Sequence, residues 1–299
     1  MAIPSRVTEG SIHTRVLANL QRNMAQGAKI QEQLSSGKQL NRPSDSPTGT
    51  ITSMELRGET RSVQQHVRNA DDGVGWLNTV GNALTQSSAL INRTRDLTLQ
   101  GLNSGATTVG SREALAVEID NIREQLIGHA NSTYLGRPVF GGTTAGEVAY
   151  RADGSYAGDA GAVERTVGTG VKVRVDVSGP EAFGADGSDA QLFTVLADIS
   201  KALRDNDTTA LGDGLKNLDA AGEILKGAMS GAGARYNRVE QMRDTAQDRM
   251  LTLKSQLSDV EDIDLPKTIM EMQLQQTAYQ AALAASAKVI QPSLIDYLR

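Results

Sequence analysis

The C-terminal end constrains this chain most. From Ile269, the residues Met272, Gln276, Tyr279, Leu283, Ser286, Ile290, Ser293 and Tyr297 follow at alternating intervals of three and four. That spacing lines one face of an α-helix. Leu294 and Leu298 widen the line near its end, and QAALAASAK supplies small residues that let another helix come close. No side chain between Glu271 and Lys288 is charged. Such a helix has little surface suited to permanent contact with water, so it needs a partner. Its start is marked by Asp262 and Asp264, which favour the positive end of the helix dipole, and by Pro266, tolerated in a first turn.

The other end has a matching pattern. Leu17, Leu20, Met24 and, after a gap, Leu34 form an apolar line. Gly37 suits the left-handed residue that ends a helix, and Pro43 disfavours helix at Arg42. Ser44 or Asp45 offers an N-cap and Pro47 a first turn. A second long helix is predicted over 48–104, with Leu56, Val63, Val67, Ala70, Val74, Leu77, Leu84, Ile91 and Leu102 in register. A third follows over about 112–131. Burial on a single helix pair barely offsets the entropy of ordering two terminal segments. The seams at both ends are therefore open to two readings, a stable monomeric bundle or a surface completed by other copies. The candidate interface residues are Leu17, Leu20, Met24, Leu34, Ile269, Met272, Tyr279, Leu283, Ile290, Leu294, Tyr297 and Leu298.

The middle differs. The stretch 141–188 is glycine-rich and carries the turn pairs Asp153-Gly154 and Asp186-Gly187. Val171, Val173, Val175 and Val177 alternate with Lys172, Arg174 and Asp176, the pattern of a half-buried strand. VERTVGT at 163–169 is its expected hairpin partner. Helix resumes near Asp189, breaks at DNDTT and runs again over 208–260. The expected fold is mainly α, a long helical bundle or coiled coil formed by both chain ends with a small antiparallel β-rich domain inserted between. The expected divisions are 1–47, 48–140, 141–188, 189–262 and 263–299.

Composition excludes several functions. Aromatics are only 3 % of the chain, which argues for aliphatic helix packing over an enzyme core. There is no cysteine, so no disulfide, thiol catalysis or thiolate metal site. His13, His66 and His129 are scattered without metal-ligand spacing. Asp71-Asp72 and Glu261-Asp262-Asp264 read more simply as caps and solvated charge than as catalytic carboxylates. GTGVKV at 168–173 lacks the spacing of a phosphate loop, and no GxSxG elbow occurs. No catalytic residue, metal or cofactor is expected. The net charge of −5 gives no footprint for nucleic acid, and no apolar run reaches the length of a membrane span. MAIPSRVTEGS lacks the apolar core of a cleaved signal peptide.

Ordered motifs at both ends carry a resemblance. LSSGKQLNRPSDSP, NADDGVGWLNTVGNAL, NRTRDLTLQGLN, REALAVEIDNIREQLIGHAN and TYLGRPVFGG come in order from the N-terminal side. GARYNRVEQM and SDVEDIDLPKTIMEMQLQQTAYQAALAASAKVIQPSLIDYL follow near the other end. They resemble the bacterial flagellin family over roughly 1–142 and 190–299, leaving the β-zone unmatched. The ending PSLIDYL and the RPSDSP turn are similar to the members that join hook to filament. Filament flagellins tend instead to an SLLR-like tail and an alanine-rich turn.

The resemblance implies a secreted structural subunit of the flagellum. Copies would form a ring between a hook-side hook-associated protein and filament flagellin. The helix of about 10–35 would pair antiparallel with that of about 265–298 in an inner layer, and 141–188 would be an exposed outer knob. The type III export apparatus would read the N-terminus, so no cleaved signal is required. A cytoplasmic chaperone would cover the C-terminal helix before export. Two alternatives stay open, filament flagellin itself and a surface adhesin acting through 141–188.

Overall fold

A computed structural model describes residues 9–103, 108–144 and 146–290, with backbone alone at 9–13 and 288–290. The chain divides into two compact units. The terminal unit comprises 1–61 and 251–299, and the central unit 62–250. Both long helices contribute to each.

In the terminal unit, helix α1 (Glu9–Ser36) ends at Gly37, whose φ of +70° is left-handed. Without a Cβ, glycine adopts that conformation at little cost. The turn that follows closes on Asp45, whose Oδ2 accepts from the backbone N–H of Asn41 (3.2 Å) and Arg42 (2.9 Å). Helix α2 (Pro47–Leu102) then starts with Pro47 at its first position. Neither Ser44 nor Asp45 caps it. Ser46 Oγ does, accepting from Gly49 N at 3.1 Å, because Asp45 is engaged in the turn. Helix α6 (Thr208–Glu261) and helix α7 (Leu265–Ile290) are separated by a short joint. At that joint Asp264 Oδ1 caps α7 by accepting from Lys267 N at 3.1 Å.

The central unit packs α2 and α6 with α3 (Val109–Ala130) and α5 (Leu192–Asp205). Its core is aliphatic along the helices, with Leu84, Ile119, Leu126, Leu196, Ile199 and Leu203 fully buried. Two small hairpins and a short helix complete it. Strands β1 (Thr133–Tyr134) and β2 (Arg137–Pro138) pair antiparallel, as do β3 (Glu164–Gly168) and β4 (Val171–Arg174). The helix α4 (Gly179–Phe183) follows them. The β3–β4 hairpin lies where the valine alternation predicts it; the β1–β2 hairpin was not expected from the sequence. Its two-residue connection, Leu135-Gly136, has φ of +50° and +77°, the left-handed pair of a type I′ turn.

The alternation holds within the strand, where Lys172 is exposed and Val173 buried, but not at Asp176. The strand ends at Arg174, although Val175 N still donates to Val163 O at 2.8 Å. Asp176 is fully buried, because its Oδ1 accepts from Val163 N (3.0 Å) and Arg174 Nε (2.9 Å). Glu181 then bridges Arg174 at 3.0 Å and Arg235 of α6 at 2.7 Å. These ion pairs tie the strands to a helix.

The scarce aromatics are concentrated here. Phe140, Tyr150, Tyr156, Phe183 and Phe193 form one cluster, with Tyr150 and Phe193 centroids 4.8 Å apart and Phe140 and Phe183 5.1 Å apart. Residues 141–188 thus share one apolar core with the helices around them. Asn131, at the end of α3, accepts from the N–H of Ala149 and Tyr150, both at 2.8 Å. Arg165 of β3 meets Asp72 of α2 at 2.5 Å. Close approach also dictates a glycine on α2. A Cβ at Gly75 would stand 2.5 Å from the Tyr134 hydroxyl.

Two outcomes follow. Leucine at Leu135 is held left-handed at a cost of about 1–2 kcal/mol, while its side chain is 82 % exposed and contributes little burial. Leu135→Asn is expected to raise the stability of the central unit by about 1 kcal/mol in chemical denaturation. Excising 141–188 is expected to abolish cooperative unfolding of the central unit, because the helices lose part of a shared core, including Tyr150 and Phe183. A sharp, unshifted transition in that variant would show the segment to be an independent insert.

Candidate assembly interface

The site lies wholly in the terminal unit. Helices α1 and α7 pack against one another. They run antiparallel, since Gln275 Nε2 donates to Asn23 O at 2.9 Å while Lys38 bridges Asp262. The sheltered residues of α1 include Val16, Leu20, Asn23, Gly27, Ile30 and Leu34, at intervals of four and three. Those of α7 are Thr268, Met272, Gln275, Tyr279, Ala282 and Ser286, in the same rhythm. This is the two-stranded seam of a coiled coil, but much of it is small or polar. Only Ile30 and Thr268 in these two rows are buried; the others remain partly open. A shallow groove between the helices is lined by Met24, Gly27, Gln31, Met272, Gln276 and Tyr279.

Large apolar side chains face outward instead. On α1 they are Leu17 and Met24, at 58 % and 60 % exposure. On α7 they are Leu265, Ile269, Met270, Leu274 and Leu283, with Leu274 the most open at 69 %. Ile51 and Met54 of α2 and Leu251 of α6 are exposed as well. Of the fifteen large exposed hydrophobics among the described residues, ten fall in the terminal unit, which holds just over a third of the chain. Single exposed leucines are ordinary, whereas a concentration of them marks a surface for association.

The interface residues expected from the sequence divide accordingly. Leu20, Leu34, Met272 and Tyr279 belong to the seam between α1 and α7. Leu17, Met24, Ile269 and Leu283 face outward. Ile290 is described by its backbone alone, and Leu294, Tyr297 and Leu298 lie outside the described residues. Sequence reasoning missed Val16, Asn23, Gly27, Ile30, Thr268 and Gln275, because it followed the largest apolar residues, whereas Ser286 and the small residue Ala282 were already part of the C-terminal pattern. On α1 the overlooked signal is Gly27, a small residue where two backbones approach, the counterpart of the small residues in QAALAASAK.

A charged cluster anchors the base of this pair. Glu261, the last residue of α6, has a side chain only 4 % exposed. Arg57 Nε comes within 2.7 Å and Lys38 Nζ within 3.4 Å of its carboxylate. Asp262 accepts from Lys38 Nζ and from Ser258 Oγ, each at 2.5 Å. The Arg57 guanidinium holds the Glu261 carboxyl below its ordinary range against the opposing effect of burial, and Lys38 adds to this. Lys38, then Ser258, does the same for Asp262. Further out, Lys29 pairs with Asp45 at 3.1 Å and Arg42 with Glu32 at 3.2 Å; these pairs are more exposed and worth little each. No group of acidic or histidine side chains suited to a metal occurs among the described residues, and no described helix is long and apolar enough to cross a membrane.

The profile of the bacterial flagellin N-terminal helical region matches residues 11–144, and that of the C-terminal helical region matches 215–298. The chain belongs to the flagellin family. Flagellin of Bacillus subtilis (strain 168) is 27 % identical, covering 96 % of each chain. Flagellar hook-associated protein 3 of Escherichia coli (strain K12) is 24 % identical, covering 94 % of this chain and 95 % of the relative. The solved structure of FlgL from Bacillus cereus superposes with a TM-score of 0.58 at 22 % identity, covering 68 % of this chain and 99 % of that one, which shows a common fold. This flagellin-family chain is a structural component of the flagellum and not an enzyme.

The anchor has a pH signature. Both carboxylates have lowered native pKa values, so their stabilising contribution is fully present above the ordinary carboxylate range. It is lost as pH falls through the lowered values. Amide protection at the base of α1 and α7 is expected to hold across neutral pH and drop on acidification, while Glu261→Gln flattens that dependence. An unchanged acid limb in Glu261→Gln would exclude Glu261 as its source.

Proposed function

We propose that this flagellin-family chain forms the ring that joins hook to filament. The concentration of outward apolar side chains on the terminal unit carries the reading. One face of α7 is taken by α1, and Leu265, Ile269, Met270, Leu274 and Leu283 are left for other copies. The paired terminal helices make the inner layer of the assembly, and the helices of the central unit the next. Residues 141–188 lie furthest out. The ring contacts a hook-associated protein on its hook side and flagellin on the filament side. Before assembly, a cytoplasmic chaperone covers the exposed face of the C-terminal helix. The type III export apparatus takes the chain out by its N-terminus. Support for the junction role comes from the full-length similarity to hook-associated protein 3 and from the family-like PSLIDYL ending.

Filament flagellin is the second reading, favoured by the Bacillus subtilis relative matched over almost its whole length. A cell lacking this chain separates the two. Loss of a junction leaves hooks intact while filament subunits spill into the medium. Loss of the flagellin leaves no filament protein to spill.

Leu283 is exposed, so Leu283→Asp costs the isolated chain little. The variant, and Leu274→Asp beside it, are expected to keep the parent's helical content and melting transition yet fail to attach filaments. Normal attachment by both would remove these residues from the interface.

A further inference from the structure

The seam between α1 and α7 does not specify its own alignment. Its rows repeat at three and four along both helices, and several positions are small: Gly27, Ala282 and Ser286. Sliding one helix by a heptad, about 10 Å, brings the same kinds of surface back into contact. The hydrogen bond from Gln275 goes to a backbone carbonyl, that of Asn23, and every residue supplies one. Seams of this kind slip unless one polar contact is satisfied in a single register.

The base of the pair holds such a contact. Glu261 is a nearly buried carboxylate reached by cations from two separate segments, Lys38 after α1 and Arg57 in α2. Backbone bonds accompany it: Gln39 N donates to Glu261 O at 2.6 Å, and Ile263 N donates to Gly37 O at 3.2 Å. Together these hold the end of α1 beside the start of α7. A slipped alignment carries Lys38 away and leaves the buried charge short of a partner. Burying ions gives little net stability, but selecting one register is their best-attested use.

We propose that Lys38, Arg57 and Glu261 form a register lock, positioning residues that select one axial alignment of α1 against α7. The lock stands on the geometry of the single chain. Its consequence for assembly rests on the function proposed above. Leu17 and Met24 on α1 and Leu274 and Leu283 on α7 compose one surface pattern only in one alignment.

The absence of native cysteine allows a direct test in the full chain. A Cβ at Gly27 would lie 3.8 Å from Gln275 Cγ, so these two positions face each other across the seam. The pair Gly27→Cys/Gln275→Cys reports the observed register. Leu20→Cys/Gln275→Cys and Gly27→Cys/Ala282→Cys report slips of one heptad in either direction. With the lock intact, only the first pair should oxidise. Adding Lys38→Met, Arg57→Met and Glu261→Met should raise cross-linking of the slipped pairs at least tenfold while helical content is unchanged. Arg57→Lys, which keeps the charge, should retain the single register. If the triple variant loses helix, Glu261→Gln decides in the same assay. Exclusive cross-linking of the first pair in a folded variant without the lock overturns the proposal. The assay needs no assembly. A correct register with failed filament attachment therefore counts against the junction reading and leaves the lock standing.

Discussion

A helix satisfies its own backbone hydrogen bonds but not its apolar side chains, and α7 carries such side chains on more than one face. That constraint governs the terminal unit. Packing against α1 shelters Met272, Gln275 and Tyr279 and, further along, Ala282 and Ser286. It leaves Met270 and Leu274 in water. A soluble monomer would replace these with charge; a subunit that is later covered by its neighbours keeps them. The near absence of charge between Glu271 and Lys288 is the same fact seen in the sequence.

The central unit solves the opposite problem. Its core is built within one chain, and its buried carboxylate is paired inside it. Asp176 is buried with Arg174 and a strand N–H, and Glu181 connects two arginines. Asn131 uses both ends of its amide on the segment that follows α3. An aromatic cluster fills the space between short strands and helices where aliphatic side chains on regular elements cannot reach. The glycine-rich segment is therefore part of the scaffold.

These two solutions set the division of labour within a flagellin-family subunit. Packing in the central unit holds the stretches of α2 and α6 that lie within it. At the foot of the terminal unit, the Glu261 cluster holds the turn after α1 to the joint before α7. Charge at the base and apolar surface along the length are complementary devices. Hydrophobic contact is strong but indifferent to register, while a buried carboxylate adds little stability and tolerates few alignments.

Local chemistry determined much of this chain. Helix periodicity, Gly37, Pro47, Pro266 and the valine alternation were enough to locate the long helices and the β3–β4 hairpin. The family motifs were enough for the class of protein. Those features act over a few residues, so they can be read without knowing what touches what. Tertiary structure alone decided which face of α1 meets α7, because several three-four rows run along each helix and only packing selects one. It also decided that Asp176 is buried, that Ser46 rather than Asp45 caps α2, and that Glu261 gathers Lys38 and Arg57. Each of these depends on residues distant in sequence or on competition for one carboxylate, and periodicity carries no information about either.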